Sequence, residues 1–195
     1  MKRAFTMVEV LVSMGILSLL LLVVTMLYLF GLRASEKTYR EMDQLATLQA
    51  AASMLAGDLE PGASKGTSCT AGGEILSVLS GSNGQQIVVV DTAGHVTWQK
   101  YILYAFDSAG RELRRFEHKL PTGTVFSDGP IPLETLSSQP LTDFVTPALP
   151  SRLLADHVLS FKAEKVSFRT VHVKLVIKLG DKPEQSVDCT WRIHN

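Results

Sequence analysis

The strongest pattern in the chain is an uninterrupted apolar run near its N-terminus. Residues 10–32 contain no charged side chain, and nearly all of them are aliphatic, methionine or aromatic. About 20 such residues, at ~1.5 Å each, cross the ~30 Å hydrocarbon core of a bilayer. A helix that is apolar on every face would otherwise need a much larger protein around it. The run therefore predicts a membrane-spanning helix, and Lys2 and Arg3 before it predict a cytoplasmic N-terminus and an external C-terminus.

The pattern becomes amphipathic after residue 32. Apolar side chains recur every three or four positions, and polar and charged side chains fill the opposite face. No proline interrupts the chain before Pro61, where a Pro-Gly pair followed by small residues predicts the end of the helix. We therefore expect one helix over residues 5–59, which is ~80 Å at ~1.5 Å per residue. The apolar stripe of its second half comprises Tyr39, Met42, Leu45, Leu48, Ala52, Leu55 and Leu59.

The remainder of the chain has the short alternating runs that are typical of β-strands. The last two runs bury one face each, and the helical stripe is the obvious cover for that face. This arrangement predicts an α+β fold: a long N-terminal helix, with a transmembrane half and an amphipathic half, packed on an antiparallel β-sheet domain. The predicted strands are residues 74–79, 86–90, 96–106, 111–119, 153–163, 168–179 and 187–193, of which the third and fourth form a hairpin.

Residues 121–150 interrupt the strand pattern. They hold six of the eight prolines and have no clear periodicity. A long ordered loop or a variable insertion is expected here. Such a loop serves either as a contact surface for partners or as a solvated connection.

Composition and charge exclude several classes of function. The length of 195 residues fits one compact domain besides the N-terminal helix. The formal net charge is +0, and removal of Lys2 and Arg3 would leave 17 basic against 19 acidic residues. Nothing in this balance indicates a nucleic-acid surface, so no nucleic-acid partner is expected.

Candidate catalytic and metal-binding residues do not form a recognisable motif. The five histidines show neither HExxH nor any paired ligand spacing, and residues 81–84 form a turn rather than a nucleophile elbow. Each of Asp91, Asp107 and Asp128 lies near a glycine, where aspartate commonly makes local turn hydrogen bonds. We therefore expect no enzyme activity, no cofactor and no metal. The histidines are His95, His118, His157, His172 and His194.

The two cysteines lie far apart and lack a CxxC spacing. Cys69 lies in a Gly/Ser-rich segment that we expect to be a loop, and Cys189 lies on the apolar face of the last predicted strand. In an oxidising exterior the two could form one disulfide, which would connect the end of the helix region to that strand. The alternative is a buried free Cys189 with an exposed Cys69.

The first nine residues carry the most specific information. They read Met1-Lys2-Arg3-Ala4-Phe5-Thr6-Met7-Val8-Glu9, and the apolar run follows directly. An ordinary secretory signal is cut after its apolar region at small residues, and residues 31–35 match that pattern poorly. Glu9 is unusual because a carboxylate at the edge of a membrane helix is expensive and usually functional.

This N-terminus resembles the leader and processing motif of type IV pilins and pseudopilins. The resemblance implies that a prepilin peptidase cuts between Ala4 and Phe5 and methylates the new amine of Phe5. That family most often has glycine where this chain has Ala4, and both residues are small enough for a tight protease subsite. The resemblance also implies that Glu9 pairs with the N-terminal amine of a neighbouring subunit. This pairing would set the axial register between subunits, since an unpaired buried charge costs several kcal/mol. The alternative is that Glu9 merely reaches the interface of a plain anchor.

Weaker similarity extends along the chain. Residues 57–60, the hairpin of residues 101–113 with Arg114 and Arg115 after it, and the segment of residues 153–161 resemble PilW-like minor pilins and the J-type minor pseudopilin of type II secretion. Major pilins commonly have a proline in the apolar half, whereas this chain has Gly15 and no proline there. The resemblance implies a position at or near the filament tip, in a complex of minor subunits that primes assembly.

The expected organisation follows from these observations. It is a leader of residues 1–4, a transmembrane and assembly helix of residues 5–32, an amphipathic half of residues 33–60, and an extracytoplasmic β-rich domain of residues 61–195. The expected function is that of a minor pilin or pseudopilin, a structural subunit that primes or caps a type IV pilus or a type II secretion-like filament.

The resemblance also implies partners and a location. The partners are other minor and major pilins, the prepilin peptidase, an inner-membrane platform protein, an assembly ATPase and the lipid bilayer. The chain would lie in the inner membrane with a periplasmic C-terminal domain before it enters the filament. The rival hypothesis is an unprocessed single-pass anchor that carries an extracytoplasmic binding or scaffold module.

Overall fold

The computed structural model describes residues 6–83, 87–146, 148–178 and 183–193, apart from the side chains of Arg40 and Gln44. The chain forms two compact units, Met1–Asp43 and Gln44–Asn195. The elements in chain order are α1 (Met7–Leu59), β1 (Gly62–Cys69), β2 (Ile75–Ser80), β3 (Trp98–Asp107), β4 (Glu112–Thr124), α2 (Leu133–Ser137), a 3-10 helix (Leu141–Phe144), β5 (Ser151–Ala155), β6 (Val158–Ser167), β7 (Thr170–Ile177) and β8 (Gln185–Arg192). A long helix followed by antiparallel strands confirms the predicted α+β, pilin-like fold class.

The first unit contains the N-terminal part of α1. Every side chain from residue 6 to residue 39 is exposed, which includes the whole apolar run. Ser13 donates its hydroxyl to the Glu9 carbonyl at 2.7 Å and Thr25 donates its hydroxyl to the Leu21 carbonyl at 2.7 Å, so both groups are satisfied within the helix. Such internal pairing is what a lipid environment requires of polar groups. Among the described residues, α1 is the one helix long and apolar enough to cross a membrane.

The second unit contains two antiparallel sheets. Strands β1 to β5 pair in chain order in one sheet, and β6 to β8 pair in chain order in the other. The predicted hairpin is confirmed, because β3 pairs with β4 and places Tyr104 opposite Arg115. Two backbone hydrogen bonds link the sheets through neighbouring segments: the Ala163 amide donates to the Gly73 carbonyl at 2.8 Å, and the Val158 amide donates to the Arg111 carbonyl at 2.8 Å.

Two apolar clusters cover the two faces of the five-stranded sheet. The first joins the end of α1 to strands of both sheets, with Leu55 and Phe161 each about 1% exposed. The second joins the opposite face to α2 and the 3-10 helix, through Leu133 and Leu141. Burial of one such leucine stabilises the fold by roughly 1.5–3 kcal/mol. The domain core is therefore built around a sheet that is covered on both sides.

The helical stripe is shorter than the sequence predicts. Leu48, Leu55 and Leu59 are buried, but Tyr39 and Met42 are 70% and 61% exposed. Leu45 is also exposed, and Ala51 is buried in place of the half-buried Ala52. The helical period predicts which face is apolar, but it does not predict how many turns of that face find a partner.

Strand β1 is the main element that the sequence analysis missed. Its glycines and serines have low β-propensity, so residues 62–69 were expected to form a loop. Its glycines are needed for close packing, since a Cβ on Gly66 would lie 2.5 Å from the Leu79 Cβ. A bulge shifts the register between Ala63 and Ser68, and Lys165 of β6 holds it by donating from Nζ to the Ser64 carbonyl at 2.6 Å and to the Thr67 carbonyl at 3.0 Å.

Three further predictions need correction. Residues 87–90 of the predicted 86–90 strand form only isolated bridges, Ser82 with Val88 and Val90 with Val96, and residue 86 lies outside the described residues. The predicted strand 153–163 is two strands, because the chain turns at His157, whose φ is 54°. The loop of residues 121–150 begins inside β4 and contains α2 and the 3-10 helix. In each case the local pattern of apolar and polar residues does not show where the chain reverses direction or leaves a sheet.

Candidate functional site

The predicted processing site lies at the very start of the chain. Ala4 and Phe5, the residues predicted to flank the cleavage, lie outside the described residues, as does the predicted leader. The first described residue is Thr6, directly before α1. The geometry of the site is therefore that of Thr6 and Glu9.

Thr6 and Glu9 form a capping box at the start of α1. The Glu9 amide donates to the Thr6 Oγ1 at 3.3 Å, and the Glu9 Oε2 accepts from the Thr6 amide at 3.0 Å. The Thr6 hydroxyl also donates to the same Oε2, at 3.1 Å. This reciprocal pairing satisfies two amides that a helix start leaves without partners. The Thr-x-x-Glu spacing was visible in the sequence, although the sequence analysis assigned Glu9 to assembly alone.

The capping box leaves part of the Glu9 carboxylate available. All of its hydrogen bonds within the described residues are made by Oε2, and Oε1 makes none. The side chain is exposed, and the uncharged run of residues 10–32 begins immediately after it. A carboxylate in the first turn also interacts favourably with the positive end of the helix dipole. Thr6 therefore orients the Glu9 carboxylate through Oε2, and Oε1 has no hydrogen-bond donor among residues 6–83, 87–146, 148–178 and 183–193.

A second polar site lies at the other end of α1. Asp58, in the last turn, is only 9% exposed, and a negative charge there interacts unfavourably with the helix dipole. Arg115 of β4 compensates by donating from Nε to Asp58 Oδ2 at 2.7 Å and from Nη2 to Asp58 Oδ1 at 3.3 Å. Tyr104 of β3 donates its hydroxyl to Asp58 Oδ2 at 2.5 Å. We call Asp58, Tyr104, Arg115, Glu117 and Lys100 the α1 anchor network.

Two further residues complete this network. Glu117 Oε1 accepts from Arg115 Nη1 at 2.5 Å and from Lys100 Nζ at 2.8 Å. Burial by itself raises the pKa of Glu117, but these two hydrogen bonds outweigh it and hold the pKa below its usual value. Burial, together with the charge of Asp58, raises the pKa of Tyr104 well above its usual range. These shifts keep the Tyr104 phenol neutral and the Glu117 carboxylate ionised.

The α1 anchor network fastens the helix to the sheet. Burial by itself lowers the pKa of Arg115, but its hydrogen bonds to Asp58 and the charge of that residue raise it, so the guanidinium stays charged. A polar cleft of about 370 Å³ lies beside the network and is also lined by Arg152 and Met54. Because each of its charges is already paired, the network has the character of a structural contact. Asp58 and Arg115, which are distant in sequence, thus meet in space.

The two cysteines lie on strands of different sheets. Cys69 is the last residue of β1, not a loop residue, and Cys189 lies in β8; both are half-buried free thiols. Cys69 lies near Lys165 of β6, whereas β7 separates β6 from β8. The pairing of Cys69 with Cys189 stays a prediction.

The histidines and aspartates make local contacts. Asp91 accepts from the His95 amide at 2.8 Å, and Asp107 accepts from the Ala109 amide at 3.0 Å, as expected for turns. His172 pairs with Asp188 across neighbouring strands, and His194 lies outside the described residues. Within the described ranges there is no group of three or more His, Cys, Asp or Glu side chains placed to hold a metal ion.

Comparison with known proteins identifies the class. Residues 1–25 match the family model described as the prokaryotic N-terminal methylation motif. This motif marks type IV pilin-like and pseudopilin-like proteins. Neither a curated protein nor a solved structure matches the chain.

The class has direct consequences for this chain. The motif indicates a structural subunit rather than an enzyme. It implies processing by a prepilin peptidase and assembly with other pilins in a pilus or pseudopilus. Together with the apolar part of α1, it also supports membrane anchoring before assembly.

Proposed function

We propose that this chain is a minor pilin or pseudopilin that primes or caps a type IV pilus or a type II secretion-like filament. The observation that carries the proposal is the Thr6–Glu9 capping box at the head of an exposed, uncharged helix. It fixes a carboxylate one turn from the predicted N-terminus at Phe5, with Oε1 open. An amine from a neighbouring subunit can then pair with Glu9 without breaking the cap.

The continuity of α1 supports the minor class. The helix runs as one element through Gly15, whereas major pilins commonly have a proline within this apolar half. The resemblance of residues 57–60, of the 101–113 hairpin with Arg114 and Arg115, and of residues 153–161 to PilW-like and J-type subunits supports the same class, and those subunits act at or near the filament tip. In this proposal residues 5–32 leave the bilayer for a helical bundle, and residues 61–195 recognise partner subunits.

The proposed topology has a cytoplasmic start and a periplasmic domain. Lys2 and Arg3 stay inside by the positive-inside rule, and residues 1–4 are the leader. An inner-membrane platform protein and an assembly ATPase would extract the subunit from the membrane. The competing function, an unprocessed anchored binding module, shares this topology but lacks the cleavage.

The deciding experiment is intact mass and N-terminal sequencing of the chain purified from membranes of its native host. We expect a chain that begins at N-methylated Phe5, and we expect Phe5→Asp or Ala4→Leu to leave the leader attached. Ala93→Leu, a change in an exposed turn, is the matched control and should leave processing intact. An uncut chain in cells whose other pilins are processed would instead establish the anchored module.

Processing alone does not separate a minor subunit from a major one. We therefore expect deletion of the gene to reduce the number of filaments per cell, and not their length or diameter, because a primer acts only at initiation. Immunogold labelling of the second unit should mark filament ends. Labelling along the whole shaft would show that the chain is a major subunit.

A further inference from the structure

A cleft of about 460 Å³ lies where β2 and β4 begin and β3 ends, beside the turn of residues 107–111. We call it the β-turn cleft. Its floor is formed by Ile75, Ala105 and Phe116, which belong to the second apolar cluster, and its walls include Phe106 and Val145. Its volume lies in the range of ~300–1,000 Å³ that is typical of ligand pockets, which is enough for one long side chain with an apolar neighbour.

The rim of the β-turn cleft is acidic. Its charged residues are Glu74, Asp107, Glu112 and Arg114. Arg114 is fully engaged, since it donates from Nε to Glu112 Oε2 at 2.8 Å and from Nη1 to the Ser151 hydroxyl at 3.1 Å. Its charge therefore neutralises Glu112 and leaves Glu74 and Asp107 in excess.

These two carboxylates lack a cationic partner within the described part of the chain. Both are exposed, and Asp107 accepts only the local turn hydrogen bond from Ala109. An apolar floor under two uncompensated carboxylates is complementary to a long basic side chain. Lysine and arginine place their methylene groups on apolar surface while the charged head stays with the carboxylates.

We propose that the β-turn cleft binds a lysine or arginine side chain, together with its apolar neighbour, from a different pilin-type subunit. This inference rests on the proposed function, because it takes the partner from the same filament. A symmetric contact with a second copy would place two acidic rims against each other, and such like-charge contacts are costly. The charge of the cleft thus selects a basic partner surface and disfavours a symmetric contact with a second copy.

The test uses the full chain in native host membranes, with the photocrosslinker p-benzoylphenylalanine placed at Val145 in the cleft wall. The control position is Val166, an exposed residue near the end of β6. We expect crosslinks from position 145 to a peptide of another pilin-type subunit that contains a lysine or arginine beside apolar residues. We expect few or none of these crosslinks from position 166.

The charges are tested by Glu74→Gln with Asp107→Asn. We expect this double variant to lower the crosslink yield about fivefold, which corresponds to about 1 kcal/mol. The matched control is Glu60→Gln with Asp156→Asn, which makes the same change in net charge at exposed positions outside the cleft and should leave the yield unchanged. Glu74→Lys with Asp107→Lys should abolish the crosslink, and a Lys→Glu or Arg→Glu change in the crosslinked peptide should restore it.

Three outcomes would overturn the proposal: crosslinks only to a second copy of this chain or to lipid, a yield from position 145 no higher than from position 166, or a yield that the neutral double variant does not change.

Tryptophan fluorescence from Trp98 and Trp191 must show the same unfolding transition in every variant. The N-terminus of the same samples separates the two proposals. Methylated Phe5 without the crosslink refutes the cleft alone, whereas an uncut N-terminus refutes both.

Discussion

Arg115 and Asp58 are 57 residues apart in sequence and form a two-point ion pair that joins β4 to the last turn of α1. Both side chains are largely buried, at 16% and 12% exposed. The pair offsets a charge that the helix dipole disfavours, and it lies where the apolar stripe of α1 ends. The last turn of α1 is therefore held against the sheet by charge as well as by packing.

The first prediction concerns this ion pair. Arg115→Met should destabilise the second unit by about 3–5 kcal/mol, because it leaves the Asp58 carboxylate buried without a counter-charge. The double variant Arg115→Met with Asp58→Leu should recover much of that loss, since no buried charge remains. Urea unfolding of the detergent-solubilised chain, followed by Trp98 and Trp191 fluorescence, measures both. A single variant as stable as the unchanged chain would show that solvent reaches Asp58.

The second prediction concerns acid stability. Hydrogen bonds from Lys100 and Arg115 lower the pKa of Glu117 in the folded chain. Ionised Glu117 therefore contributes to the unfolding free energy at pH values above its unfolded pKa, which is near 4.5. That contribution is lost as the pH falls through the lower folded pKa. Glu117→Gln should therefore flatten the fall of unfolding free energy below about pH 4.5. Glu60→Gln, at an exposed position just after α1, is the control and should leave the slope unchanged.

The third prediction separates the two roles of Glu9. Thr6→Val removes the capping partner but keeps the carboxylate, whereas Glu9→Gln keeps a side chain that can cap but removes the charge. We expect Thr6→Val to cost about 1 kcal/mol of helix stability and to leave filament assembly largely intact. Glu9→Gln should reduce filament number severely without changing cleavage at Phe5. Equal assembly defects in the two variants, counted by electron microscopy, would mean that Glu9 acts only as a cap.

The fourth prediction concerns the cysteines. Burial raises the pKa of the Cys69 thiol from 9.0 to about 11, so in a Cys189→Ser chain iodoacetamide should alkylate Cys69 about a hundredfold more slowly than an ordinary thiol at pH 8. The rate should rise with pH up to about 11 and become ordinary in urea. A chain from the native host that takes up reagent only after reduction would instead establish the disulfide that the sequence suggests.

The pattern of apolar and polar residues was sufficient to predict the longest elements of the chain. A 53-residue helix has many turns over which apolar and polar positions repeat, so its existence and its end near Pro61 were predicted correctly. The β3–β4 hairpin was also predicted, because a single turn joins two strongly β-forming runs. Strand β1 was missed since its Gly and Ser residues have low β-propensity, and it forms because Leu79 and Lys165 supply packing and hydrogen bonds from distant segments.

The candidate sites also divide into one that the sequence predicts and others that only the fold brings together. The N-terminal motif is local, because a protease and a helix cap both act on neighbouring residues. Its members can therefore be read from the sequence: they are Ala4, Phe5, Thr6 and Glu9. The α1 anchor network and the β-turn cleft are not local. Their residues come from strands whose pairing register is set by long-range burial, so only the tertiary structure decided that Arg115 meets Asp58 and that Glu74 and Asp107 share one rim. The sequence alone determined the N-terminal motif and the long apolar helix, since both depend on contiguous residues, whereas the α1 anchor network and the β-turn cleft were decided by the folding of the sheets.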